Sequence, residues 1–246
     1  MARSLLLRGM LAGLVAGLLA FVFARAFGEP SVASAISFES QRAAAAGATP
    51  AMELVSRDIQ STVGLLTAVV VYGVALGGLF ALAFTFLYGR VREATPAVTA
   101  RWLAAGAFAV VYLVPFLKYP ANPPAAGRAD TIGTRTALYV AMLVLSIAGA
   151  AYALWLSRRL EGRLGREGAT LAAVAVYVLV VVAGMLVLPG LDEVPAGFPA
   201  VTLWNFRLAS IGTQAVTWTV IGLLFGFLAA RAMEGGRASR PAIQGV

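Results

Sequence analysis

Six apolar runs divide this chain, at roughly Leu5–Phe27, Val63–Leu87, Trp102–Leu117, Thr136–Ser157, Gly168–Leu191 and Leu208–Ala230, with short polar segments between them. A helix needs about 20 apolar residues to cross the ~30 Å hydrocarbon layer of a bilayer, so each run is long enough or nearly so. The third is the shortest and is expected to begin in the interface near Arg101. Strands of a membrane barrel would alternate apolar and polar residues over about ten positions. Runs such as Val69–Val71 and Val178–Val182 do not alternate, so the spans read as helices. A water-soluble fold is excluded by composition: 60% of residues are hydrophobic and mean hydropathy is +0.86, against about 45–50% apolar residues in soluble domains. The fold class is therefore all-α, an integral membrane bundle of six transmembrane helices over residues 1–233, followed by a polar tail at 234–246 expected to be disordered and cytoplasmic.

The basic residues orient the bundle. With a cytoplasmic N-terminus, Arg3, Arg8, Arg90, Arg92, Arg101, Arg158, Arg159, Arg163, Arg166, Arg231, Arg237 and Arg240 lie inside. Arg25, Arg42, Arg57, Lys118, Arg128, Arg135 and Arg207 then lie outside, a ratio of twelve to seven. That is the bias the positive-inside rule expects of short loops, and it puts both termini in the cytoplasm. The net charge of +8 is thereby accounted for without nucleic acid. Arg3 and Arg8 before an apolar stretch could also announce a cleavable signal. The stretch, however, exceeds the ~7–15 residues of a signal core, and it carries Gly9, Gly13 and Gly17 at four-residue spacing. Such a stripe lets helix backbones approach closely in lipid, where burial of apolar surface supplies no drive. Gly73 with Gly77, and Gly222 with Gly226, repeat the device in the second and sixth runs.

Inventory removes several chemistries. The chain has no cysteine and no histidine, so disulfides, thiolate metal sites and imidazole catalysis are absent. It has no phosphate-binding loop of the Walker type either. No charge sits at the middle of a span, where proton- and ion-coupled carriers usually place one. The deep polar groups are Thr67, Tyr72, Tyr112, Ser146, Tyr177, Thr213, Gln214 and Thr217. No nucleophile and base can be paired from these, so the chain is not read as an enzyme.

The expected outer segments differ from the inner ones in being rich in proline: Gly28-Glu29-Pro30, Lys118-Tyr119-Pro120-Ala121-Asn122-Pro123-Pro124, and Pro189 through Pro195 to Pro199. Proline fixes φ and biases its predecessor toward extended backbone, so all three are expected to stop helices and form stiff turns. A short helix lying in the interface is expected over Ser31–Arg42. The Gly- and Arg-rich Gly162–Gly168 segment reads as a turn between two helices.

Four motifs in order, Gly28-Glu29-Pro30 with Ile36-Ser37-Phe38-Glu39, Val55-Ser56-Arg57-Asp58-Ile59-Gln60, Pro115 through Pro124, and Glu193-Val194-Pro195-Ala196-Gly197-Phe198-Pro199-Ala200 with Leu203-Trp204-Asn205-Phe206-Arg207, resemble the CbtA family, the probable cobalt transporter subunit. The resemblance runs over nearly the whole chain. It implies a multi-pass protein of the bacterial inner membrane that imports Co2+ for cobalamin synthesis, with a small single-span partner, CbtB, that bears histidines. Many relatives carry a histidine-rich stretch where this chain has Ala43–Pro50, which is almost bare of ligands. Cobalt(II) favours imidazole over oxygen donors, so this subunit alone is expected to capture it poorly, and no permanently bound cofactor is expected.

Oxygen donors on the expected outer face are Glu29, Glu39, Glu53, Asp58, Gln60, Asn122, Asp130, Asp192, Glu193 and Asn205. Glu29, Glu53, Asn122 and Glu193 lie in or beside the stiff motifs and are the leading metal candidates. Arg57, Lys118, Arg135 and Arg207, each near the end of a span, are read as organisers of these acidic groups or partners of lipid phosphates. Two functions stay open at this point: a subunit that passes cobalt, or a non-conducting scaffold that positions a partner. Assembly of several copies of the chain is open too.

Overall fold

The structure, a computed structural model, describes residues 2–47, 55–90, 94–124, 126, 127 and 129–238. Among them there is no strand. Five helices are long and apolar enough to cross a membrane: Ala2–Ala45, Arg57–Leu87, Pro96–Lys118, Ile132–Val187 and Ala200–Glu234. The fourth is interrupted at Gly165, whose φ of 67° and ψ of 174° lie outside helical space, so it consists of two arms. Glycine alone adopts that φ without steric cost, and this is why the Gly/Arg-rich segment turns there.

The elements run as α1 (Ala2–Phe23), α2 (Glu29–Ala45), α3 (Arg57–Ile59), α4 (Leu65–Leu87), α5 (Pro96–Ala107), α6 (Val114–Lys118), α7 (Ile132–Val187) and α8 (Ala200–Ala238). Wide π-turns at Ala24–Gly28, Gln60–Gly64 and Phe108–Leu113 join α1 to α2, α3 to α4, and α5 to α6. The first corrects an expectation: Gly28-Glu29-Pro30 does not stop the helix, and the short Ser31–Arg42 helix is the continuation of the first span. Pro30 falls in the opening turn of α2, two residues past a π-turn. Pro115 falls in the opening turn of α6, two residues past another. A proline ring ordinarily collides with the carbonyl one turn back, and the extra residue of a π-turn widens the backbone there. The third span starts at Pro96, earlier than expected, and the last helix continues past Glu234 to Ala238. Residues 239–246, the rest of the expected tail, lie outside the described residues.

Contacts divide the chain into two compact units. The first comprises 1–26, 53–106 and 212–246, and the second 27–52 and 107–211. In the first, α1 meets α4 through glycine. A β-carbon on Gly73 would stand 2.5 Å from the Gly13 carbonyl oxygen, and one on Gly17 would stand 2.8 Å from Val70 Cα. Gly9 faces Gly77 with even less room, so the two helices run antiparallel with backbones in contact. Gly222 and Gly226 of α8 meet alanine instead: their β-carbons would lie 2.6 Å from Ala104 Cβ and 3.2 Å from Ala100 Cβ of α5. Phe80, Phe84, Trp218 and Phe225 fill the space between α4 and α8, with Phe84 and Phe225 edge to face at 5.0 Å. In the second unit, Met142 and Val181 on the two arms of α7 enclose Tyr119. A smaller core joins Ala35, Phe38, Ala126 and Phe198.

Candidate functional site

In the second unit three cations and two hydroxyls tie the proline-rich segments to helix ends. Lys118, the last residue of α6, donates from Nζ to the Met185 carbonyl at 2.7 Å. Met185 is in the last turn of α7, and the residue four positions on is Pro189, which has no N–H to give. The ammonium fills that gap and complements the negative end of the helix dipole. The neighbouring Tyr119 hydroxyl donates to the Pro189 carbonyl at 2.8 Å. Burial pushes that hydroxyl above its usual value, so it holds its proton as a donor throughout the neutral range.

Arg207 of α8 donates from Nη2 to Asn122 Oδ1 at 2.9 Å and from Nε to the Ala121 carbonyl at 3.4 Å, holding the Pro120–Pro124 loop. Arg135, in the first turn of α7, donates from Nη1 to Glu193 Oε2 at 2.9 Å. Thr131 donates to the other oxygen, Oε1. Both carboxylate oxygens are thus engaged, and the Glu193 side chain is only 4% exposed. Room for this pair depends on Gly127, where a β-carbon would stand 2.5 Å from Arg135 Nη1. Deeper in the unit, Ser146 is fully buried and donates to the Val110 carbonyl at 2.7 Å, with the Tyr177 hydroxyl 2.9 Å away. The π-turn sends the Val114 N–H back to Ala109, so the next donor in that register would be Pro115, which has none. Ser146 supplies it.

A family model for the probable cobalt transporter subunit, CbtA, matches residues 2–230. The chain belongs to the CbtA family. No curated protein and no solved structure matches it. This CbtA chain is thus a multi-pass membrane protein of a family described as probable cobalt transporter subunits.

The candidate oxygen donors are distributed unevenly. Glu29, Asn122 and Glu193 all fall in the second unit. Glu29 is buried at the start of α2, and Asn122 and Glu193 serve as acceptors for the arginines just described. Glu39, Asp130, Asp192 and Asn205 belong to the same unit and are exposed. Asp58 and Gln60 are exposed in the first unit, where Gln60 Nε2 donates to the Val55 carbonyl at 2.8 Å and Arg57 is half-buried. Glu53 lies outside the described residues. Among the described residues no three of His, Cys, Asp and Glu come together as a group able to hold a metal. Sequence reasoning missed Thr131, Gly127 and the partnership of Ser146 with Val110. The signal for the last is Pro115, five residues after Val110 and without an N–H to give; spacing offers none for the first two.

Proposed function

We propose that this chain is the membrane-embedded subunit of a cobalt(II) importer of the bacterial inner membrane, supplying cobalamin synthesis. The observation that carries the reading is the family match across 2–230 on a chain of long apolar helices. Counting the two arms of α7 separately gives six spans, an even number that returns both termini to one side. The arginine distribution supports the cytoplasm as that side. The proline-rich segments then face the outside, and Glu29, Glu53, Asn122 and Glu193 are the oxygen groups that an arriving cation meets. With no histidine in the chain, strong capture falls to a histidine-bearing single-span subunit of the CbtB kind, and this chain provides the membrane path.

Uptake of labelled cobalt by cells with and without the chain tests this. The expected result is loss of uptake in the deletion, restoration by the wild-type chain and reduced uptake with Glu29→Ala. Unchanged uptake in a deletion strain lacking other cobalt importers would refute it. One observation favours the scaffold reading: Glu193 and Asn122 already serve Arg135 and Arg207. If that reading holds, deletion lowers the membrane level of the partner subunit, and restoring that level by overexpression restores uptake without this chain.

A further inference from the structure

At the N-terminal end of α1 an open cleft of about 600 Å³ is lined by Arg3, Ser4, Leu7, Arg8, Leu11 and Leu228. All six belong to the first unit. Two arginines and a serine share this lining with three leucines. Arg8 is held in place by two of its nitrogens, Nε donating to Ser4 Oγ at 3.2 Å and Nη1 to the Leu228 carbonyl at 3.0 Å, which leaves Nη2 for a ligand. Arg3 is exposed, and among the described residues no carboxylate lines the cleft.

The leucines continue beyond the cleft. Leu7 and Leu11 are 57% and 50% exposed, and Leu14 and Leu18 carry the same exposed stripe further along α1. From Leu7 to Leu18 a helix rises about 16 Å at ~1.5 Å per residue, which is on the order of the length of one lipid acyl chain within a ~30 Å hydrocarbon layer. Because the apolar run of α1 begins at Leu5, arginines at positions 3 and 8 are within reach of the headgroup layer when that run spans a bilayer.

We propose that this cleft is a binding site for an anionic glycerophospholipid, with the phosphate on Arg3 and Arg8 and one acyl chain along Leu7, Leu11, Leu14 and Leu18. A phosphodiester matches the guanidinium fork, and two positive charges without a carboxylate favour a headgroup of net negative charge over a zwitterionic one. The leucine track distinguishes a lipid from free phosphate, which has no use for it.

Native mass spectrometry of the full chain, delipidated in detergent and titrated with phosphatidylglycerol, phosphatidylcholine or inorganic phosphate, tests the site. The wild-type chain is expected to retain phosphatidylglycerol in preference to phosphatidylcholine. The Arg3→Gln/Arg8→Gln variant should lose about thirtyfold of that affinity, from ~1 kcal/mol per basic residue at a charged surface. Arg158→Gln/Arg159→Gln, on α7, should leave it unchanged. Should loss of the Arg8 contacts impair folding, Arg3→Gln alone is expected to weaken binding severalfold. Equal retention of the two lipids, displacement of phosphatidylglycerol by millimolar phosphate, or undiminished binding by Arg3→Gln would overturn the proposal.

Discussion

The two units solve the same problem in opposite ways. Helices in lipid gain nothing from hiding apolar surface from one another, so association must come from close packing or from polar contacts. In the first unit the answer is removal of side chains: Gly9, Gly13 and Gly17 bring α1 onto Gly73 and Gly77 of α4 with backbones touching. In the second unit the answer is addition of donors. Lys118, Ser146, Arg135 and Arg207 reach carbonyl, carboxylate and amide acceptors around prolines. The first arrangement makes a frame that tolerates no added atom. The second makes a set of proline-rich loops held by individual, replaceable bonds, and it carries most of the oxygen-bearing residues singled out in the sequence.

Substitutions can separate these two designs. The largest effect is expected for Gly13→Leu, which drives a side chain into the α4 backbone. Overpacking costs typically about 1–3 kcal/mol, and here the obstacle is main chain that cannot turn aside, so folded yield by fluorescence-detected gel filtration should collapse. Gly13→Ala, whose β-carbon already meets the Gly73 main chain, should lower the yield too, and Gly133→Ala, whose β-carbon meets nothing within 4 Å, is its matched control and should behave as wild type.

Glu193→Ala comes next. It strips both Arg135 and Thr131 of their acceptor, at a cost of about 1–3 kcal/mol discounted for the solvent that reaches Arg135. A fall in thermal midpoint should be larger for Glu193→Ala than for Glu193→Gln, which keeps an acceptor oxygen. Ser146→Ala should cost about 1 kcal/mol, within the range of single interhelical hydrogen bonds in membranes, and Tyr177→Phe less.

The smallest effect concerns pH. The Tyr119 hydroxyl is pushed above its ordinary value of 10.0 by burial. The unfolded chain therefore releases this proton first, and stability should be flat below pH 10 and decline as the pH rises beyond it. Tyr119→Phe should remove that decline.

Much of the frame was legible from residue spacing, because glycines repeated every four residues line one helix face and let another backbone approach it in lipid. Gly9, Gly13 and Gly17 announce a contact, and Gly73 with Gly77 announce another. Their pairing with each other was not legible, since nothing in a spacing of four names the opposing helix. Gly222 and Gly226 illustrate this, for they pack on Ala100 and Ala104 rather than on glycine. Proline misled at Pro30, where the helix runs on through a π-turn that no composition signal marks, and it informed correctly at Pro120 and Pro189, where the helices end. The oxygen donors were recognisable as residue types. Their engagement was not, because Arg135 and Glu193 lie 58 positions apart and meet only through the fold.

The central claim is that the proline-rich loops of the second unit face the source of the metal and the Gly165 turn faces the cytoplasm. Since the chain contains no cysteine, single cysteines can be introduced without background. Pro124→Cys and Arg163→Cys, treated in intact cells with a membrane-impermeant maleimide, measure the claim directly. The account predicts that Pro124→Cys is labelled at once and Arg163→Cys only after permeabilisation. The reverse pattern would contradict it.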